Sequence, residues 1–372
     1  MRKDAEKINE VTYGKNYGDC LLSISSVFTP AKEFSENENR YLAKFPELSV
    51  KAVMSKEYME ELEDYTCDQF VMRDGFMSMY AKYCKVIGKT EINQVYLAKD
   101  GYLIEKYKQP THTEEIIERW NRFFEKSQVR VDVMLVPTAI GIYEDKLPPF
   151  AKTSMQREVW NTYNSRLNAN IINVWDELQE EKDKRQLYYK TDHHWTTYGA
   201  YVAYRKYCQE KGFNPLEWEK LNPETVSKKF RGTCFSKVND SMSQEDSIER
   251  ILPEDWELMV NYSGKVTSNS LYAPEYLEKK DKYSYFLNNL NDKIEIHNNN
   301  CKNGKTLLVV KDSYANCFVP FLVNHYEDIV VLDTRYYMSG VSNYMKNNSV
   351  SDVLILYNLN TLDEDIGIRG IY

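Results

Sequence analysis

Residues 305–315 read KTLLVVKDSYA, a short apolar run that stops at Lys311-Asp312-Ser313. Two further apolar runs follow, DIVVLD at 328–333 and DVLILY at 352–357, and stretches of helical character separate them. Short β-prone runs without polar alternation are typical of central strands that are covered on both faces. The pattern predicts a mainly parallel sheet, and the carboxyl ends of such strands are where functional sites form.

The chain upstream also alternates predicted helices with a predicted buried strand. A helical pattern, EEIIERWNRFFEKS at 114–127, precedes the buried-strand pattern VRVDVMLVP at 129–137, and another helix is predicted from Met155 to Leu167. This order indicates an α/β fold. Before it, VYLAKDGYLIEKY at 95–107 predicts a β-hairpin, because Lys99-Asp100-Gly101 supplies a turn with glycine where a positive φ is needed.

Two parts of the chain do not follow this alternation of helices and strands. Residues 1–40 lack a sustained period and predict a loosely ordered arm, whereas residues 56–86 predict two helices on either side of Arg73-Asp74. We expect the arm and helical lead-in to span 1–90 and the main domain to span 91–372. Residues 213–300 are polar and weakly periodic, which predicts an insertion or a substrate-facing loop region.

Composition narrows the class of protein. The 372 residues are 42% apolar and 28% charged, which is typical of a folded, water-soluble protein. The net charge is −8 and the basic residues are scattered, so nucleic acid is not an expected partner. The opening MRKDAEKINE is too charged for a signal peptide, and we expect any anchoring segment to be missing from this chain. The seven cysteines include no CxxC pair, so neither a zinc site nor a disulfide framework is indicated.

Two of the five histidines lie beside a carboxylate, in the run TDHHWTT at 191–197. In an extended segment alternate side chains share a side, so we expect Asp192 and His194 to form a couple while His193 points the opposite way. A carboxylate that holds one imidazole nitrogen leaves the other free as a general base. Thr197 is the predicted N-cap of the following helix, which would place His194 near a positive helix end.

Two other interpretations of this run stay open. It could be a structural cluster whose polar groups are satisfied by the backbone. It could also hold a metal, but manganese phosphoesterases with Asp-His-His need further carboxylates, and the only Asp-x-Asp run here is Asp363-Glu364-Asp365. We therefore predict no metal.

Ser313 is the candidate nucleophile because it stands where a strand passes into the apolar run ANCFVPFLV. There its hydroxyl can project into a crevice while its amide donates to a developing oxyanion. A serine in this position is otherwise a simple helix N-cap, and Pro320 makes the following helix short or kinked.

Four stretches together carry a resemblance: DHHW at 192–195, VYLAKDGYLIE at 95–105, DQFVMRD at 68–74 and VVKDSYA at 309–315. From about Phe45 to Tyr357 the chain resembles the bacterial DHHW protein family, which is similar to the SGNH-like acetyltransferases that modify alginate and other exopolysaccharides. The resemblance implies a three-layer SGNH hydrolase-like α/β domain with a mainly parallel sheet. It also implies a permuted order in which Asp-x-His precedes the serine, as in this chain.

Carried over by position, the resemblance makes Ser313 the nucleophile, His194 the base and Asp192 the orienting carboxylate. Lys311 departs from the Gly-Asp-Ser run of SGNH sites, which predicts a less tight turn. Candidates for the oxyanion hole and substrate contacts are the amides of Ser313 and Gly232, the side chain of Asn316, and Arg335, Tyr336 and Tyr337, although tyrosines at such positions also serve ordinary packing.

The predicted function is an O-acetyltransferase that moves an acetyl group through Ser313 to hydroxyls of an extracellular polysaccharide. The resemblance implies an extracellular or cell-surface location, a membrane-bound O-acyltransferase as acetyl supplier, and no coenzyme. The chain contains neither GxGxxG nor GxxxxGK[ST]. The alternatives are a carbohydrate acetylesterase with the same triad, and a non-catalytic glycan-binding or scaffold protein.

Overall fold

The computed structural model describes residues 30–151 and 154–371, so Cys20 and residues 1–29 of the predicted arm lie outside the described part. The described strands are β1 (Phe34–Ser35), β2 (Arg40–Tyr41), β3 (Glu91–Ile92), β4 (Val95–Leu97), β5 (Leu103–Glu105), β6 (Val131–Val136), β7 (Asn170–Ile171), β8 (Glu224–Phe230), β9 (Asp246–Arg250), β10 (Leu258–Tyr262), β11 (Val266–Ser268), β12 (Lys293–Asn298), β13 (Thr306–Lys311), β14 (Asp328–Leu332) and β15 (Asp352–Asn358).

The described helices are α1 (Val50–Met54), α2 (Glu57–Asp68), α3 (Arg73–Val86), α4 (Thr113–Lys126), α5 (Ala139–Ile142), α6 (Ser154–Arg166), α7 (Trp175–Glu181), α8 (Thr197–Lys211), α9 (Thr233–Val238), α10 (Val319–Leu322), α11 (Val341–Asn347), α12 (Leu359–Glu364) and α13 (Ile366–Arg369). None of the described helices has the length and apolar character needed to cross a membrane. The six described cysteines are free thiols.

The chain divides into two compact units, of which the first extends to Val86 and includes Asn239–Ser241. In this unit β1 pairs antiparallel with β2, and the Arg40 guanidinium donates two hydrogen bonds to the Asp68 carboxylate, at 2.8 and 2.5 Å. The two predicted helices are confirmed as α2 and α3, and Arg73 and Asp74 open the second one.

The second unit is built around an eight-stranded sheet with the order β11-β10-β12-β14-β13-β15-β6-β7. Five neighbouring strands of this sheet, β14, β13, β15, β6 and β7, are parallel to one another. Val309 of β13 lies opposite Val331 of β14 on one side and Leu354 of β15 on the other. Every residue of β6 is buried. Because successive strand residues point to opposite faces, this burial requires cover on both sides of the sheet. The predicted α/β architecture with a central, mainly parallel sheet is confirmed.

Residues 213–300, which the sequence predicts to be an insertion or a substrate-facing loop region, contain regular strands. They form β8 and β9, which pair with each other, and β10, β11 and β12, which extend the sheet on its antiparallel side. In β12 buried residues alternate with half-exposed ones. A strand with one covered face needs apolar residues only at every second position, so polar residues between them hide its signal in the sequence.

The predicted hairpin is confirmed, since β4 and β5 pair antiparallel with Leu97 opposite Leu103. A 3₁₀ turn joins the two strands, and both Asp100 and Gly101 have positive φ, at 57° and 79°. The hairpin brings β5 close to the segment that carries the paired histidines, because the Leu103 amide donates to the Lys190 carbonyl at 2.7 Å.

Candidate active site

Ser313 lies just beyond the carboxyl end of β13, as the first residue of a 3₁₀ helix that ends at Cys317. The preceding residue, Asp312, is the cap of this helix. Its Oδ1 accepts from the Tyr314 amide at 2.8 Å, and its Oδ2 accepts from the amide and the side-chain nitrogen of Asn358 at 2.7 and 2.6 Å. Because Asp312 fills the capping position, the Ser313 hydroxyl is available for another partner.

That partner is His194. Its Nε2 lies 2.8 Å from Ser313 Oγ, and its Nδ1 lies 2.5 Å from Asp192 Oδ1. The second oxygen of Asp192 accepts from the amide and the hydroxyl of Thr233, at 2.7 and 3.1 Å. Asp192 and His194 are buried, whereas Ser313 is partly exposed. The structure thus joins the three residues in one chain of hydrogen bonds.

The protonation states of the three groups follow from burial and hydrogen bonding. Burial alone would raise the pKa of Asp192, but His194, His193 and the Thr233 amide lower it overall. Burial is the main cause that lowers the pKa of His194 to about 4, with His193 adding to the effect and Asp192 opposing it. At neutral pH the carboxylate is therefore ionised and the imidazole neutral. With the Nδ1 proton donated to Asp192, Nε2 can accept the hydroxyl proton of Ser313.

His193 does not point away from the couple, and this corrects the prediction. Its ring centroid lies 3.9 Å from that of His194, and its Nδ1 lies 2.5 Å from Thr233 Oγ1. The segment is a series of bends rather than a strand, so side chains do not alternate sides as they would in extended backbone. The couple forms because the Asp192 carboxylate folds back and also accepts from the His194 amide at 3.0 Å.

The cap of α8 is Thr196 and not Thr197. The Thr196 hydroxyl accepts from the Gly199 amide at 3.1 Å, and its backbone has the extended geometry of an N-cap. Thr197 is the first helical residue, and its hydroxyl donates to the Glu249 carbonyl at 2.6 Å. Two adjacent threonines offer the same capping signal in sequence, and the register of the first helical turn decides between them.

Lys311 occupies ordinary strand geometry at the end of β13 and is not among the described residues with positive φ. The turn therefore does not need glycine at this position, although its sequence departs from Gly-Asp-Ser. The Lys311 side chain is buried, and its Nζ donates to Asn316 Oδ1 at 2.7 Å and lies 3.3 Å from Asp333. Asp333 also accepts two bonds from Arg335, at 2.8 and 2.6 Å. Asn316 and Arg335 thus belong to a charged network beneath the nucleophile.

The remaining candidates for the oxyanion hole and substrate contacts are Gly232, Tyr336 and Tyr337. Gly232 lies against Asp192, where a β-carbon would be 2.0 Å from Oδ2, and its amide faces Thr191 Oγ1 at 3.4 Å. Tyr336 is 44% exposed, and Arg335 lies 5.6 Å above its ring. Tyr337 is partly buried against the core. Gly232 therefore makes room for the carboxylate, and its amide bonds to Thr191.

Three aromatic residues at the site were not predicted. The Trp195 indole donates to the Tyr314 carbonyl at 2.9 Å, and the Tyr314 hydroxyl donates to the His193 carbonyl, so these bonds tie the two motifs together. Tyr283 stacks on His194 with a centroid distance of 3.6 Å and 10° between the rings. Trp195 and Tyr314 stand inside the quoted motifs and could have been found there. Tyr283 is one of 30 tyrosines, and nothing around it in the sequence marks it.

A cavity of about 520 Å³ lies beside the site, and Asp192, His193, Thr233 and Asn358 form part of its wall, whereas Ser313 and His194 are not among the described lining residues. The wall carries three lysines and four carboxylates. Each lysine pairs with a glutamate: Lys106 with Glu91 at 2.8 Å, Lys108 with Glu364 at 3.0 Å, and Lys237 with Glu105. The cavity is therefore polar, with its cations neutralised.

A metal ion at the paired histidines would compete with the hydrogen bonds of Asp192, His193 and His194. Among the described residues, Asp192, His193 and His194 offer ligand atoms that lie within 4.8 Å of one another. However, Asp192 Oδ1 and His194 Nδ1 bond to each other, His194 Nε2 faces Ser313, and His193 Nδ1 bonds to Thr233. Asp363 of the Asp-x-Asp run accepts from the amides of Thr111 and His112 instead. The donor atoms fit a proton-transfer chain better than a metal centre.

Several solved structures have a fold similar to that of this chain. The chain matches a DHHW family protein from Eubacterium siraeum DSM 15702 with a TM-score of 0.66 and 25% identity, over 76% of this chain and 96% of that one. Bacillus cereus PatB1, solved with a sulfonyl adduct, matches with a TM-score of 0.61 and 20% identity, over 75% and 100% of the two chains. The O-acetyltransferase domain of Pseudomonas putida AlgJ gives a TM-score of 0.46 and 14% identity, over 72% and 92%.

Sequence comparison identifies the family. No curated protein sequence matches the chain significantly. The family model described as DHHW protein matches residues 112–332, which is more than half of the chain and includes both the paired histidines and Ser313. The chain belongs to the DHHW protein family.

Proposed function

We propose that this protein is a serine-dependent O-acetyltransferase that moves an acetyl group through Ser313 to hydroxyls of an extracellular polysaccharide. The observation that carries the proposal is the chain of hydrogen bonds from Ser313 Oγ through His194 to Asp192. Such a chain is the general arrangement for activating a serine towards acyl groups. Membership of the DHHW family, which is similar to SGNH-like O-acetyltransferases, supports a polysaccharide as acceptor.

In the first step Ser313 Oγ attacks the carbonyl carbon of the acetyl donor while its proton passes to His194 Nε2. The ionised Asp192 stabilises the imidazolium that forms. The intermediate then collapses, the leaving group takes the proton from Nε2, and an acetyl ester on Ser313 remains. This step needs no coenzyme, and we assign the supply of acetyl groups to a membrane-bound O-acyltransferase partner.

In the second step a sugar hydroxyl gives its proton to the same Nε2 and attacks the ester carbonyl carbon. Ser313 Oγ leaves and recovers the proton, so the enzyme returns to its starting state. The cavity beside Asp192 and His193 is of a size usual for small-ligand sites, and its polar wall suits hydroxyl groups. We assign the acceptor sugar to this cavity.

The test is intact-mass analysis after incubation with p-nitrophenyl acetate, for the wild-type protein, Ser313→Ala and His194→Ala. Ser165→Ala is the matched control, because the Ser165 hydroxyl donates to the Thr162 carbonyl within its own helix. We expect a single acetyl adduct in the wild type and the control, and none in the other two variants. Equal labelling of all four proteins would overturn the serine mechanism and favour a glycan-binding or scaffold protein.

The same acyl-enzyme would make an acetylesterase if water took the acetyl group. Adding an oligosaccharide to the acetylated protein separates the two, because a transferase moves the acetyl group to the sugar faster than water removes it. Release of free acetate at a rate that no tested sugar changes would assign the esterase reaction instead.

A further inference from the structure

Tyr283 covers one face of the His194 imidazole in a parallel stack, with ring centroids 3.6 Å apart. Its hydroxyl donates to the main-chain carbonyl of Ser313 at 3.1 Å and lies 3.4 Å from the Sγ of Cys317. One side chain therefore contacts both the ring of the proposed base and the backbone of the proposed nucleophile.

The opposite face of the imidazole is covered by His193. The two neighbouring rings lie 3.9 and 3.6 Å from the His194 centroid, at interplanar angles of 36° and 10°. Two rings whose centroids lie this close to the His194 centroid cannot share one face of the imidazole, so His194 lies between them. Since Asp192 and Ser313 take its two nitrogens, the imidazole is held on both faces and at both polar edges.

Tyr283 is itself fixed by its surroundings. It is buried, packs against Phe286 at a centroid distance of 5.3 Å, and meets the ring of Tyr189 nearly edge-on at 6.4 Å. Its 3₁₀ helix, Lys282–Tyr285, is braced by the Ser284 hydroxyl, which donates to Asp281 at 2.6 Å. These contacts hold the ring against the imidazole.

We infer that Tyr283 is a positioning residue that holds His194 in line with Ser313, an inference that rests on the proposed acyl transfer. A base can accept the nucleophile's proton only within hydrogen-bonding reach, and a displacement of about 1 Å can cost roughly 10²-fold in rate. Through Tyr283, the segment that the sequence predicts to be an insertion or substrate-facing loop supports the reacting groups directly.

Three variants separate the parts of this role. Tyr283→Phe keeps the stacked ring and removes the hydroxyl, and with it the bond to the Ser313 carbonyl and the contact with Cys317 Sγ. Tyr283→Leu removes the ring. Tyr285→Leu is the matched control, because Tyr285 is buried in the same 3₁₀ helix and stacks on Tyr272 at 5.0 Å.

The measurement is the saturating rate constant for acetylation of Ser313 by p-nitrophenyl acetate. We expect Tyr283→Leu to lower this rate constant about 10²-fold with little change in KM. Tyr283→Phe should stay within about tenfold of the wild type, because the variant loses only the neutral hydrogen bonding of the hydroxyl and keeps the ring. Tyr285→Leu should keep a rate close to wild type even if its urea midpoint falls. Equal rate losses in Tyr283→Leu and Tyr285→Leu would overturn the inference.

The pH profile gives a second readout that mere loss of stability would not move. The groups that face or influence the His194 ring are Asp192, His193, Ser313, Tyr283, Tyr314 and Arg335. Of these, only the cover by Tyr283 changes in the variants. Without the Tyr283 ring, water reaches the imidazole and the pKa of His194 rises. The acid limb of the pH profile of the acetylation rate should therefore move to higher pH in Tyr283→Leu. It should stay in place in Tyr283→Phe, which keeps the ring.

Failure of this inference is distinct from failure of the proposed function. A wild-type protein that forms no acetyl adduct would remove the acyl-transfer mechanism itself. A wild type that is acetylated at Ser313, with Tyr283→Leu reacting at the same rate and with the same pH profile, would remove only the positioning role.

Discussion

The α-carbon of Gly232 faces the carboxylate of Asp192 so closely that a β-carbon would lie 2.0 Å from Oδ2. Gly232→Ala must therefore displace Asp192, and with it the hydrogen bond that orients His194. We expect acetylation of Ser313 to fall by about 10²-fold, measured with p-nitrophenyl acetate. Gly75→Ala is the control, since a β-carbon there meets nothing within 4 Å and alanine favours the helix. Unchanged acetylation in Gly232→Ala would show that the carboxylate position is not critical.

Asp192→Asn should keep the shape of the site and remove its charge. An amide at this position neither fixes the reactive tautomer nor stabilises an imidazolium, and loss of this function costs up to about 10⁴-fold in rate in serine enzymes. We expect a loss of that order in the acetylation rate. Asp132→Asn, which changes a buried carboxylate bonded to Lys211, should lower the urea midpoint and spare the rate. A loss below about tenfold in Asp192→Asn would argue against its role.

The wild-type rate should persist in mild acid. Burial lowers the pKa of His194 to about 4, and the base is active only when neutral, so its activity is lost as the pH falls through that value. At pH 5.5 we expect nearly the full rate of Ser313 acetylation, where an ordinary histidine would retain about a tenth. The measurement is the acetylation rate between pH 3.5 and 8. An acid limb centred near pH 6.5 would contradict a desolvated base.

Neutral acceptors should react better than acidic ones. Since each lysine in the cavity wall pairs with a glutamate and carboxylates outnumber lysines, the cavity offers no positive field to a uronate polymer. We expect acetyl transfer from p-nitrophenyl acetate to cellohexaose to exceed transfer to an oligouronate of equal length. Mass analysis of both products at low and high salt checks this. A preference for the oligouronate that salt abolishes would place the acceptor elsewhere.

The sequence predicts β6, β13 and β15 of the parallel part of the sheet because these strands are covered on both faces and consist mostly of apolar residues. It does not predict β10 and β12, because these antiparallel strands alternate buried residues with more exposed ones, nor β11, whose three residues are exposed or half-buried. A run of consecutive apolar residues therefore marks a strand that is buried on both faces. A strand with one face exposed to solvent has no such run and is harder to recognise in the sequence.

The site shows a similar division. Asp192, His194 and Ser313 stand in recognisable local runs, and the structure brings them together across 119 residues of chain. The position of His193 and the choice of Thr196 as cap depend on local backbone geometry that the residue types leave open. Tyr283 reaches the site through tertiary packing alone, so its role has no counterpart in the local sequence.

The outermost strands of the sheet, β7 and β11, are only two and three residues long. Each therefore presents few unpaired backbone groups at its rim. Because long exposed edges act as templates for pairing between molecules, such short rims oppose the growth of intermolecular sheets. The fold thereby limits edge-to-edge aggregation between copies of the chain.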